Sequence, residues 1–353
     1  MAARQSERRE LTPSPQLDLR DVLRAALVET GALAAERQAS PSFFRFGELA
    51  LAVRILGPGS LQRLLAMIGA RAADSSQDAV LLDVVGGSVK GLEGLLPPPG
   101  MRGRTVLRAN EDLYYLWLDE AGGYVTAIDR RAGRGLVWFT KPDRIASWHI
   151  ARPLMHAIKG ASLRTSWTPI HAASVARKDG AILIVGQSGA GKTSIAMTCA
   201  SQGWDYLGDD AVVVRADPAR VASLYSSARL REDTFQHYPD AMRACLGVSD
   251  DAGELKAEVD MALLHPPAAE AVIKAIVVPQ PTDWAKFRVA PMGRADTLRK
   301  LMEATRQSML GDEAVAFSKL AALVSQVPCY ALTASGDAST LSSGLTRLIE
   351  GTT

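Results

Sequence analysis

Residues 181–194 read AILIVGQSGAGKTS, and this stretch decides the fold. Ala181–Val185 is an apolar run of strand length, and Lys192–Gln202 carries a helical pattern. A glycine-rich loop therefore joins a strand to a helix. Gly186, Gly191, Lys192 and Thr193 fit GxxxxGK[ST], the Walker A spacing. Each residue type has a physical reason. Glycines let the N–H groups of Gly186, Gln187, Ser188, Gly189, Ala190 and Gly191 turn inward around phosphate oxygens. The helix start at Lys192, Thr193 and Ser194 adds partial positive charge. The Lys192 ammonium reaches β- and γ-phosphates, and the Thr193 hydroxyl suits Mg²⁺. The loop predicts an α/β domain of the P-loop type that binds a nucleotide, ATP with Mg²⁺.

Working outward, His171–Val175 and Ala181–Val185 are short apolar runs joined by Arg177-Lys178-Asp179-Gly180, an Asp-Gly turn signal. Beyond the loop, residues 203–214 read GWDYLGDDAVVV. One helix and a return turn bring Asp209-Asp210 back beside the phosphates, at the start of a strand. Two adjacent acids there suit two tasks: one binds the metal and the other accepts the proton of an attacking hydroxyl. Neighbours on a strand point in different directions, so one carboxylate does not do both. Further strands are expected at Ala275–Pro279 and Tyr330–Thr333. Helices are expected at Arg294–Ser308, at Glu313–Val324 and from Thr340.

The first 165 residues have a different texture. Residues 1–16 read as a disordered lead, and helices are expected from Leu17 to Gln38 and from Ser60 to Ala73, after Gly57-Pro58-Gly59. Pro97-Pro98-Pro99-Gly100 is another break. Thr105–Arg108, Leu113–Leu118, Tyr124–Asp129 and Gly135–Phe139 then read as a meander, with turns at Ala121-Gly122-Gly123 and Arg131-Ala132-Gly133. A helix follows from Asp143 to Lys159, with Pro153 as a kink or boundary. Residues 17–165 are thus expected to form an α+β domain for substrate recognition or scaffolding, and 166–353 the P-loop domain.

Together, His171-Ala172-Ala173, GQSGAGKTS at 186–194 and GDD at 208–210 resemble the catalytic domain of HPr kinase/phosphorylase. That serine-kinase family has a P-loop architecture related to phosphoenolpyruvate carboxykinase. The likeness is specific over roughly 169–215. It implies His171 near the phosphates, Lys192 and Thr193 as above, Asp209 as general base and Asp210 on Mg²⁺ with Thr193. The glycine signature EIRGLG that follows the aspartates in true HPr kinases is absent; the corresponding residues 223–234 read SLYSSARLREDT. Residues 1–165 look more like the front of HPr-kinase-related proteins found beside bacterial peptide-modification genes. Some of those relatives phosphorylate a serine of a ribosomally made precursor, lasso-peptide precursors included. The acceptor so implied is a hydroxyl of a peptide or HPr-like protein. Arg229 and Arg231 lie in that divergent stretch and Lys256 beyond it, in GELKAEV, as candidates for holding phosphoryl or substrate charge. The alternatives are a small-molecule kinase, a nucleotide-dependent regulator with little catalysis, and a plain ATPase.

Composition narrows the partners. Lys plus Arg number 40 and Asp plus Glu 38, so the net charge is only +2, which argues against a nucleic-acid-coating role. Hydrophobic residues at 47% and charged ones at 22% are globular values, and about 150 residues per domain gives two domains. Cys199, Cys245 and Cys329 are far apart and read as reduced thiols of a cytoplasmic protein. No signal peptide and no long apolar run is seen, so no membrane role is expected, and a homo-oligomer is compatible with the chain. Thr140-Lys141-Pro142-Asp143 matches a guanine-reading TKxD but precedes the loop, which a GTPase does not allow without circular permutation. Tyr114, Tyr115, Trp117, Trp138 and Phe139 form an aromatic cluster expected to be mostly core, with an exposed remainder able to grip a peptide.

Overall fold

The computed structural model describes residues 18–68, 71–72, 78–97, 105–110, 112–119, 123–163, 165–178, 180–235, 238–251, 254–265, 268–280, 287–306, 313–334 and 337–351. The lead over 1–16, the Pro98–Gly100 break, Ala121-Gly122 and Asp179 lie outside them. Helix α1 (Leu19–Glu36) starts at Asp18, whose carboxylate accepts the Arg20 N–H at 3.1 Å. Leu23, Ala26, Leu27, Thr30 and Ala34 recur at helical spacing on its buried side. A hairpin follows, β1 (Ser42–Phe46) and β2 (Leu49–Leu56). The long helix expected over Ser60–Ala73 is instead a 3-10 turn at Gly59–Gln62 and a single turn, α2 (Arg63–Ala66). Ile68 already bridges Tyr225, so pairing ends the helix there.

Strands β3 (Arg71–Ala72), β4 (Val80–Gly86), β5 (Thr105–Ala109), β6 (Leu113–Leu118), β7 (Tyr124–Asp129) and β8 (Arg134–Phe139) complete the first sheet. Its order is β3-β1-β2-β4-β8-β7-β6-β5, and β5 to β8 are the expected meander. All five residues of the aromatic cluster are buried, so the cluster is core and offers no grip for a peptide. One buried charge ties α1 to this sheet. Asp83 on β4 is fully buried and accepts from Arg54 Nε at 2.7 Å, Arg54 Nη2 at 2.9 Å and Thr30 Oγ1 at 2.7 Å. Asp83→Ala strips a mostly buried guanidinium of its carboxylate, so it is expected to cost about 3–5 kcal/mol, read from the urea unfolding midpoint. A loss under about 1 kcal/mol would show that the pair does not hold α1 in place.

The next segment splits at Pro153 into α3 (Ser147–Ala151) and α4 (Met155–Ser162). Then come β9 (Thr168–Ile170), β10 (Ala172–Arg177), β11 (Gly180–Val185), α5 (Lys192–Ser201), β12 (Asp205–Gly208), β13 (Val212–Arg215), β14 (Arg220–Ser223), β15 (Ser227–Arg231) and α6 (Glu232–Phe235). The chain continues with β16 (Cys245–Asp251), β17 (Glu254–Asp260), β18 (Glu270–Pro279), β19 (Arg288–Pro291), α7 (Arg294–Thr305), α8 (Glu313–Gln326), β20 (Cys329–Thr333) and α9 (Ala338–Glu350). In the second sheet β11 runs parallel to β18, and β18 parallel to β20. β10 and β11 are the expected hairpin, paired from Ala172↔Val185 to Arg177↔Gly180.

The alternating faces of β11 decide the layering. Ile182 and Ile184 pack with Ile195, Ala196 and Cys199 of α5 and with Leu345 of α9. Leu183 and Val185 pack with Leu301 of α7 and with Leu320 and Leu323 of α8. Helices thus cover both faces, as a strand buried on both sides requires. A small sheet of order β15-β17-β16 joins the α5 side through Ala228, Leu230, Ala257 and Val259. The molecule is a mixed α/β structure with several sheets. Among the described residues no helix is long and apolar enough to cross a membrane.

Candidate active site

The loop between β11 and α5 turns on two glycines. Gly189 (φ 81°) and Gly191 (φ 87°) hold left-handed backbone that a side chain disfavours. Gln187, Ser188 and Gly189 form its exposed crown. The Lys192 ammonium is buried beneath it and donates to the Gly186 carbonyl at 2.8 Å and the Gln187 carbonyl at 3.1 Å. Burial lowers the Lys192 pKa, against the opposing pull of Asp209 and Asp210. Ala190 and Ser194 complete the turn and the first helical residues.

Asp209 and Asp210 follow β12 and face different partners. Asp209 is buried, and its Oδ2 accepts the Thr193 hydroxyl at 2.8 Å and lies 3.5 Å from the Arg229 N–H. Its Oδ1 is buried without a hydrogen-bond partner. Burial, and then the charge of Asp210, push the Asp209 carboxyl up to about 7. Asp210 takes left-handed backbone (φ 62°) and turns its side chain away, toward Arg152, whose Nη1 donates to Oδ2 at 2.9 Å. Burial alone would raise Asp210, but the charges of Arg152 and Lys192 outweigh it and hold it low. The loop hydroxyl thus meets Asp209, whereas the family resemblance sets Asp210 beside Thr193.

His171 sits just before β10. Its backbone N–H reaches Thr305 Oγ1 of α7 at 3.4 Å, and its Nδ1 is 2.9 Å from the Asp210 carbonyl. A carbonyl only accepts, so Nδ1 carries the proton and Nε2 keeps its lone pair. Burial lowers the His171 pKa, with Asp210 opposing, so the ring is neutral at neutral pH.

Strands β15 and β17 contribute charge from one face. Register pairs Arg229 with Glu258 and Arg231 with Lys256, so these four side chains share a face while Leu230, Ala257 and Val259 share the other. Arg229 Nε lies 3.1 Å from Glu258 Oε1, and Glu258 is buried. Lys256 is also buried, and its charge is felt at Lys192. Arg231 is exposed at the end of β15. Sequence reasoning missed Arg152 and Glu258. Arg152 lies at the Pro153 break between two helices, where no spacing marks it. Glu258 could have been found from Lys256 and Glu258 alternating within one strand.

No family model matches the chain, and no curated protein matches it. Among solved structures the chain is similar to the Hpr(Ser) kinase/phosphatase from Coxiella burnetii. That likeness has 10% identity and a TM-score of 0.26, over 52% of this chain and 95% of that one. At that TM-score the likeness carries no weight, and the chemistry rests on the residues above.

Proposed function

We propose that this chain is an HPr kinase-like phosphotransferase that moves the γ-phosphoryl group of ATP, with Mg²⁺, to the hydroxyl of a serine in a peptide or protein. One observation carries the reading: the Thr193 hydroxyl rests on buried Asp209 while a second carboxylate, Asp210, is held apart from it by Arg152. A protein that only binds a nucleotide needs one carboxylate near that hydroxyl. A second, separately aimed one supplies a proton acceptor.

The residues fit a cation. The unpartnered Asp209 Oδ1 beside the Thr193 hydroxyl is an oxygen donor set of the kind a hard dication takes. Among the described residues no group of three or more His, Cys, Asp or Glu is placed to hold a metal. Mg²⁺ bound through one carboxylate and the nucleotide's own phosphates matches that. We therefore assign Asp209 and Thr193 to Mg²⁺ and Asp210 to the acceptor hydroxyl, the reverse of the division implied by the family resemblance. When bound, the cation neutralises charge on the β- and γ-oxygens.

The chain's own groups do the rest. The loop N–H groups and the start of α5 hold the phosphates, and Lys192 exchanges its loop carbonyls for β/γ oxygens. Serine Oγ bonds to the γ-phosphorus as the bond to the β-bridging oxygen breaks, and ADP leaves. The serine proton passes to the Asp210 carboxylate. Arg152 keeps Asp210 ionised and aimed. A low pKa is tolerable in this base because the transferring group takes on little covalent bonding before the hydroxyl is committed. His171 holds the Asp210 backbone through Nδ1, and Arg229 and Lys256 offset the phosphoryl charge. The test is ADP formation with and without serine-containing acceptors. Acceptor-dependent ADP is expected; equal rates with and without acceptor would point to a plain ATPase instead.

A further inference from the structure

A groove of about 450 Å³ runs between α7 and α8. Leu298, Met302 and Phe317 form its apolar floor, and Arg299, Glu303 and Arg306 stand around it. Leu298 and Met302 are four residues apart on α7, so they share one face of it. The opposite face, with Thr297, Leu301, Ala304 and Thr305, is buried. Phe317 remains 49% exposed, an unusual state for so large an apolar ring. Its size is that of a pocket for a small ligand or a side chain.

The position of the groove says which part of the reaction it serves. Glu303, on its wall, lies within electrostatic reach of the Gln187 side chain of the loop crown. Two residues on, Thr305 receives the N–H of His171, whose ring meets Asp210. The Lys192 ammonium, which seeks β- and γ-oxygens, also points at the Gly186–Gln187 end of the loop. The groove therefore adjoins the γ end of the phosphate seat, while the opposite, buried face of the same end of α7 contacts His171. A nucleotide base, separated from the γ-phosphate by two phosphates and a ribose, belongs at the other end.

We propose that the α7–α8 groove seats a bulky apolar side chain of the acceptor peptide, near the serine that is phosphorylated. This rests on the phosphotransferase reading above and adds the acceptor's class: a peptide with Phe or Leu close to its serine. The flanking Arg299, Glu303 and Arg306 leave the rim of mixed charge, so the apolar floor, not the rim, sets the choice.

The test uses synthetic serine peptides that differ at one position within four residues of the serine, carrying Phe, Leu, Ala or Asp. With the unmodified protein, kcat/KM for the best Phe or Leu peptide is expected to exceed that for its Ala counterpart by on the order of tenfold or more, the discrimination one apolar pocket provides. The double variant Met302→Ser, Phe317→Ser changes two side chains that are not fully buried and should fold. It is expected to erase that preference while calorimetric affinity for Mg-ATP stays the same. A preference that survives in the variant overturns the groove. Loss of Mg-ATP affinity in the variant also overturns it and makes the groove a base pocket. If the unmodified protein binds Mg-ATP but phosphorylates no peptide, the peptide acceptor and this groove fall together. If it does not bind Mg-ATP at all, the phosphotransferase reading itself has failed.

Discussion

Lys192→Ala is expected to lower phosphoryl transfer by on the order of 10³-fold, the scale of removing one preorganised charge-stabilising donor. Only Lys192 among the loop residues carries a full positive charge to the β/γ oxygens, so no neighbour substitutes for it. The fold should survive. The ammonium is buried with its pKa already lowered, so its removal relieves a desolvated charge, and of the two carbonyls it satisfied Gln187's belongs to the exposed crown, so only the buried Gly186 carbonyl loses its partner. Circular dichroism and the melting temperature should match the parent within a few degrees while turnover disappears. A variant with parental turnover would remove the phosphates from this loop.

The second large effect separates the carboxylates. Asp210→Asn keeps the size of the side chain but removes its capacity to take a proton, and is expected to cost about 10²–10⁴-fold in transfer with Mg-ATP affinity retained. Asp209→Asn is expected to act first on the cation: the apparent Mg²⁺ requirement should rise, and excess Mg²⁺ should restore part of the rate. The distinction follows from the Thr193–Asp209 hydrogen bond at 2.8 Å and the Arg152–Asp210 pair at 2.9 Å. Rate measured against Mg²⁺ concentration for both variants decides it. If Asp210→Asn shifts the Mg²⁺ requirement and Asp209→Asn does not, the division of labour is the one implied by the family resemblance.

Much of the second half of the chain was legible in its sequence, because its signals are local. The β10–β11 hairpin, the loop and α5 each carry their own pattern, and α7, α8 and α9 begin within a few residues of expectation. The meander β5–β8 was legible for the same reason. Strands β2 and β4 were not. LALAVRIL and VLLDVVG lie in parallel pairs and bury residues of both faces, so they lack the alternation that marks a half-exposed strand. The false helix over Ser60–Ala73 had a helical spacing that a tertiary bridge at Ile68 overrode. The loop and both aspartates were singled out by type and spacing and His171 through the family resemblance, and the structure brings them together, yet the partner of each aspartate was not legible. That depends on the left-handed backbone at Asp210 and on Arg152, which arrives from a separate helix pair far back in the chain. Long-range side-chain pairing leaves no periodicity to read.

The central claim is transfer of the terminal phosphoryl group to a hydroxyl, and the fate of a label measures it most directly. The protein is incubated with Mg²⁺, the Phe-containing serine peptide and ATP labelled with ³²P at the γ or at the α position. Phosphoserine labelled from the γ position alone is the predicted result. Label from γ-ATP recovered only as inorganic phosphate, or ATP left intact, would contradict it.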